Sequence, residues 1–69
     1  MTLQNRIREL RARFQLTQQQ LASKVGVTRQ TIAAVEKGDY VPSLLLAMNI
    51  CREFNMSVEE VFQLQGESE

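Results

Sequence analysis

Ile7, Leu10 and Phe14 recur three to four positions apart, the spacing that lines side chains along one face of an α-helix. Asn5 precedes them as a candidate N-cap, so a first helix is expected through residue 14, followed by a short link at Gln15 and Leu16. Thr17 opens a second helix. Gln20, three residues on, completes a capping box, in which each side chain satisfies a backbone N–H that the helix leaves free. Leu16 and Leu21 bracket that cap as a hydrophobic staple, and Gly26 after Val25 can take the left-handed conformation that ends a helix. Thr28 starts a third helix, stapled by Val27 and Ile32, that runs to about Lys37 and stops at Gly38.

Residues 38–42, Gly-Asp-Tyr-Val-Pro, read as a loop. Ser43 caps a fourth helix extending to Phe54, where Asn55 breaks it. Its apolar stripe is read as Leu44, Ala47, Ile50, Cys51 and Phe54, with Leu45 on the polar side beside Asn49 and Arg52. Ser57 and Glu60 make another capping box, stapled by Met56 and Val61, for a short fifth helix. Phe62-Gln63-Leu64-Gln65 alternates apolar and polar, a strand pattern. The expected fold class is all-α with five helices, leaving room for one short C-terminal β-strand. At 69 residues the chain, 1–69, is one domain.

Composition narrows the function classes. Histidine is absent and Cys51 is the single cysteine, so neither an internal disulfide nor a paired zinc motif can form; no metal or cofactor is expected. Cys51 sits on the apolar stripe of the fourth helix, as a small core residue rather than a nucleophile. With no paired carboxylates in a pocket-forming sequence and no glycine-rich phosphate loop, an enzyme is not expected. The longest apolar run, Leu44 to Met48, is too short to span a bilayer, and no leader pattern follows the N-terminal arginines; a cytoplasmic protein is expected.

The formal net charge is zero, yet it is split along the chain. Residues 1–37 carry seven basic residues (Arg6, Arg8, Arg11, Arg13, Lys24, Arg29, Lys37) against Glu9 and Glu36, a net of +5. Residues 38–69 carry Arg52 against Asp39, Glu53, Glu59, Glu60, Glu67 and Glu69, a net of −5. Such asymmetry suggests that one half meets a polyanion.

The second and third helices give that suggestion a shape. Two short helices joined by a tight turn at a glycine cross at roughly 90–120° as a helix-turn-helix unit, here over residues 18–37. Ala22 allows close crossing, and Val25, Val27, Ile32 and Val35 supply apolar contacts. On a helical wheel Ile32, Val35 and Glu36 share one side of the third helix, with Arg29 and Thr31 at its flanks. Gln30, Ala33, Ala34 and Lys37 share the other. That outward face has no acid, two small residues, one amide and one ammonium. Arg can pair with guanine, Gln with adenine, and methyl groups can pack on thymine. Arg29, Gln30 and Thr31 lie at the N-terminal end, where recognition helices meet base edges.

The stretch Leu16-Thr-Gln-Gln-Gln-Leu-Ala-Ser-Lys-Val-Gly-Val-Thr-Arg-Gln-Thr-Ile-Ala-Ala-Val-Glu-Lys-Gly38 resembles the Xre-type, Cro-like phage-repressor helix-turn-helix family. Tyr40-Val-Pro-Ser-Leu44 and Val58-Glu-Glu-Val-Phe62 resemble its short stand-alone bacterial repressors, of the cytolysin-operon-repressor kind. The resemblance implies a lambda-repressor-like five-helix fold with the third helix in the major groove. It implies base-facing positions at Arg29, Gln30, Thr31 and Ala34, although several relatives carry a longer polar residue where Ala34 stands. It further implies phosphate contacts from Gln18, Thr28, Lys37 and the loop at Gly38 to Val41, and an ion pair between Arg11 and Glu36. Tyr40 in that loop either touches a phosphate or covers the edge of the core.

One such domain gives a small interface, and specific affinity usually needs two half-sites. A homodimer on a palindromic operator is therefore expected, with a contact built from Leu45, Met56, Phe62 and Leu64. In short relatives this region sometimes adds a small antiparallel sheet, for which Phe62 to Gln65 and Leu3 to Asn5 are suited. The function so read is a sequence-specific regulator of transcription, a repressor, whose partners are double-stranded DNA and a second copy, without membrane or small-molecule ligand. Two other readings stay open: the autoregulatory antitoxin of a toxin–antitoxin pair, and a protein-binding adaptor that uses the fold without DNA.

Overall fold

A computed structural model describes residues 2–66, so Met1 and the acidic residues Glu67 and Glu69 of the charge count lie outside it. The elements run β1 (Thr2–Asn5), α1 (Ile7–Phe14), α2 (Gln18–Val25), α3 (Arg29–Lys37), α4 (Leu44–Phe54), α5 (Val58–Val61) and β2 (Phe62–Gln65). Four of the five helices open on a hydroxyl. Thr17, Thr28, Ser43 and Ser57 each accept the backbone N–H three residues on, and Thr17 and Ser57 complete capping boxes with Gln20 and Glu60. Gly26 (φ 78°) and Gly38 (φ 86°) close α2 and α3 in the left-handed conformation; a Cβ would meet nothing within 4 Å at either, so backbone freedom is what the positions need. Asn55 closes α4 at φ 56°.

Asn5 departs from its expected place. It ends β1, and the residue before α1 is Arg6, which makes no side-chain cap. Asn5 Oδ1 still accepts from the Ile7 N–H at 3.1 Å, while its Nδ2 donates to the Val35 carbonyl at 3.0 Å and so ties β1 to the last turns of α3. The strand has a partner because β2 returns beside it. The two pair antiparallel with Thr2 opposite Gln65 and Asn5 opposite Phe62. This sheet lies within one copy of the chain. Arg6 strengthens the closure, its backbone N–H donating to Val61 and its guanidinium to the Glu60 carbonyl.

The core joins every helix: Ile7 and Leu10 of α1, Leu21 and Ala22 of α2, Ile32 and Val35 of α3, Leu46, Ala47, Ile50, Cys51 and Phe54 of α4, and Val61 and Phe62 at the C-terminal end. Phe14 is half outside it, its ring set edge-on to Phe54 at 5.3 Å. The stripe of α4 differs from the expected one. Leu46 is buried and Leu44 is 71% exposed, because the inward phase runs through positions 46, 47, 50, 51 and 54, and Leu44 stands at its edge in the first turn with nothing packed over it. No described helix is long and apolar enough to cross a membrane.

Candidate nucleic-acid interface

α2 and α3 pack closely at the corner formed by Gly26 and the Thr28 cap, with Ala22 fully buried between them. Neither helix has an acid in its first turn, so the free N–H groups at both N-termini keep their partial positive charge uncompensated. Along α3, Ile32 and Val35 face the core. Arg29, Gln30 and Lys37 are exposed, and Thr31, Ala33 and Ala34 are half-buried.

Glu36 is the acid that would spoil this edge, and its side chain is only 2% exposed. Arg11 Nε donates to Glu36 Oε2 at 2.6 Å and Nη2 to Oε1 at 3.2 Å, a two-pronged pair joining α1 to α3. The remaining Nη1 of Arg11 donates to the Leu16 carbonyl at 3.0 Å. Gln18 Nε2 adds a third donor to Glu36, at 3.1 Å. The carboxylate is thereby neutralised and turned inward, and the outer edge of α3 is left with cationic, amide and methyl groups.

The other sequence-selected residues fall as follows. Thr28 is exposed; its hydroxyl caps α3 and meets the Thr31 hydroxyl at 3.1 Å. Lys37 is exposed with its ammonium 3.4 Å from Asp39, an exposed pair that water weakens. Asp39 was outside the wheel reading because it lies in the loop beyond the helix. Tyr40 is 48% exposed, beside the cavity between β1 and the 38–42 loop. Arg29 Nη1 approaches Gln18 Oε1 at 3.4 Å.

Other exposed side chains are apolar. Leu44, Leu45 and Met48 project from α4, with Val41 before them and Leu64 on β2 also exposed. Leu45, Met48, Met56 and Val58 line a shallow groove where α4 meets α5. Phe62 is corrected from surface to core: it is 6% exposed, because the turn from α5 into β2 points its ring inward. The exposure of Leu44 and Met48 escaped the sequence reading, since five apolar residues in a row hide which side faces in. Cys51 is buried, and that burial pushes its thiol pKa up, opposite to what a nucleophile needs. Among the described residues no group of three or more acidic or cysteine side chains could hold a metal ion.

A helix-turn-helix family model matches residues 7–61. The chain is 59% identical over 66 residues to the uncharacterized HTH-type transcriptional regulator YgzD of Bacillus subtilis (strain 168), covering 96% of this chain and 100% of YgzD. An uncharacterized HTH-type transcriptional regulator of Archaeoglobus fulgidus is 52% identical over 60 residues, covering 87% of this chain and 84% of that protein. Among solved structures, the restriction-modification controller protein C.AhdI from Aeromonas hydrophila superposes with a TM-score of 0.74 at 31% identity, over 80% of this chain and 83% of that one. These similar proteins are regulators, not enzymes. With its paired caps, its glycine corner and its five-helix core, the chain belongs to the helix-turn-helix family, on its Xre and Cro-like side.

Proposed function

We propose that residues 1–69 act as one cytoplasmic domain that binds double-stranded DNA sequence-specifically, and that it represses transcription as a homodimer on a palindromic operator. The observation that carries this reading is the outer edge of α3, exposed and free of acid because Glu36 is locked to Arg11. With α3 in the major groove, Arg29, Gln30 and Thr31 meet base edges, and Ala34 offers a methyl to thymine. Gln18, Thr28, Lys37 and Tyr40 contact phosphates, assisted by the free N–H groups at the start of α2. Lys37 exchanges its weak contact with Asp39 for a phosphate oxygen.

The dimer contact uses Leu45 and Met56, joined by Leu44 and Met48, while Leu64 extends it along β2. Leu44, Leu45 and Met48, exposed along α4, favour a protein partner over water. Two copies related by a two-fold axis set their recognition helices about 34 Å apart, one turn of DNA. Selection of bound sites from random duplexes tests the reading. An inverted repeat with half-sites one turn apart is expected, together with a dimer in sedimentation. Recovery of no sequence preference at moderate salt would overturn the DNA reading, and a monomer at high micromolar concentration would remove the dimer.

A further inference from the structure

β2 covers only one side of β1, and the backbone hydrogen bonds fix which groups the other side carries. In an antiparallel pair, directly opposed residues alternate between exchanging both bonds and exchanging none. The Arg6 N–H donates to the Val61 carbonyl, so in this register the bonded pairs continue at Gln4 with Gln63 and Thr2 with Gln65. Phe62 agrees, since its N–H turns to the Val58 carbonyl rather than to Asn5 opposite. The backbone N–H and C=O groups of Leu3 and Asn5 therefore point away from β2, and none of them bonds another described backbone group. A cavity of about 410 Å³ runs along that side. All four residues of β1 line it, against only Phe62 of β2, and its far wall is the end of α3 with Tyr40, Val41 and Pro42. A smaller cavity beside it is lined by residues 3–5 and 36–38, with no residue of β2.

We propose that this cleft receives an extended acidic peptide segment of another protein, which adds to β1 as a third strand and withdraws Lys37 and Tyr40 from DNA. Leu3 and Asn5 each offer a donor and an acceptor, repeating about 6.6 Å apart, a spacing that a second extended backbone matches and a compact ligand does not. Among the described residues lining the larger cavity Lys37 alone is charged. Its ammonium lies 3.4 Å from the exposed Asp39, a contact that water weakens, so an arriving carboxylate can take its place. Val35, Val41, Pro42 and Phe62 give the cleft apolar walls for the side chains between the acids. β1 itself, Thr-Leu-Gln-Asn, has neither the charge nor the proline with which proteins blunt an open strand edge. The site stands independently of the DNA reading. Its effect on repression rests on that reading, through the phosphate contacts assigned above to Lys37 and Tyr40.

The test titrates the full, isotopically labelled chain with a blocked pentapeptide, Ac-Thr-Glu-Val-Glu-Thr-NH2, followed by amide NMR. The same peptide N-methylated at its interior residues, and its counterpart with lysine in place of glutamate, serve as comparisons. Perturbations are expected at residues 2–5 and 37–41, with Leu44 to Met48 silent. The methylated peptide is expected to bind at least about fivefold more weakly, the loss of one hydrogen bond, and the lysine peptide to bind more weakly too. Leu3→Pro deletes one outward N–H and leaves the ladder bonds of Thr2 and Gln4 in place, so it is expected to weaken the acidic peptide while Leu3→Val does not. If Leu3→Pro does not fold, the methylated peptide decides. Absence of binding at millimolar peptide, equal binding of the methylated form, or perturbations centred on the α4–α5 groove would each overturn the proposal. Loss of the dimer in Leu3→Pro would give the edge to a second copy and overturn it as well. Competition with the selected duplex separates the two readings. Displacement of the duplex is expected; a peptide that fills the cleft without displacing DNA leaves the site standing and overturns its effect on repression, together with the phosphate contacts of Lys37 and Tyr40.

Discussion

Helix α3 opens on the Thr28 hydroxyl and closes on a left-handed Gly38; helix α4 opens on the Ser43 hydroxyl and closes on a left-handed Asn55. Each buries one stripe against the same core. They differ in what is left over. α3 leaves Arg29, Gln30 and Lys37 outside and hides its one acid, while α4 leaves Leu44, Leu45 and Met48 outside. The capping and burial rules that build a helix therefore say nothing about its job. The uncovered face does: small and cationic matches a groove lined with phosphates and base edges, and large and uncharged matches another protein.

Breaking the device that keeps the α3 edge free of acid should have the largest effect. Arg11→Ala strands the Glu36 carboxylate in the interior, and urea unfolding should show a loss of about 3–5 kcal/mol. The contrast on α4 comes next. Leu46→Ala should cost about 2–5 kcal/mol, whereas Leu44→Ala, at an exposed position, should stay within about 0.5 kcal/mol. Equal costs would mean the phase of α4 is misassigned. In binding, Arg29→Ala should cost about 1–3 kcal/mol on the selected site with little change on random duplex, and Lys37→Ala should weaken all duplexes and flatten the salt dependence by about one unit. The caps sharpen what the two helices share: Thr28→Ala and Ser43→Ala should each lower stability by about 1 kcal/mol.

The smallest effect is a pH dependence. Burial raises the Cys51 thiol pKa above its ordinary value, so the folded state holds that proton more tightly than the unfolded chain. The contribution is complete below the ordinary thiol range and declines as pH rises through it toward the raised value. Alkylation of Cys51 should accordingly track global unfolding; labelling faster than unfolding would show an open path to the thiol.

What was legible in the sequence was local. The Thr17, Thr28, Ser43 and Ser57 caps and the two glycine stops act over three or four residues, and the structure has them where the pattern put them. The phase of α4 was not legible, because Leu44 through Met48 is an unbroken apolar run that fits more than one inward face. Asn5 suits both a helix cap and a strand opposite Phe62 to Gln65, and the sequence does not say that the two strands belong to one copy; its bond to Val35 depends on how the sheet docks on α3. The wheel put Glu36 on the inward side of α3. The Gln18 bridge from Glu36 to Arg29 needs the crossing of two helices, which no spacing within either one encodes.

The central claim is that the outer edge of α3 meets DNA, and amide NMR of the labelled protein titrated with its selected duplex tests it most directly. Perturbations should concentrate at Gln18 and Thr28 to Lys37, sparing the exposed leucines of α4 beyond any effect of dimerisation. Perturbations centred on Leu44 to Met48 with α3 silent would contradict the account.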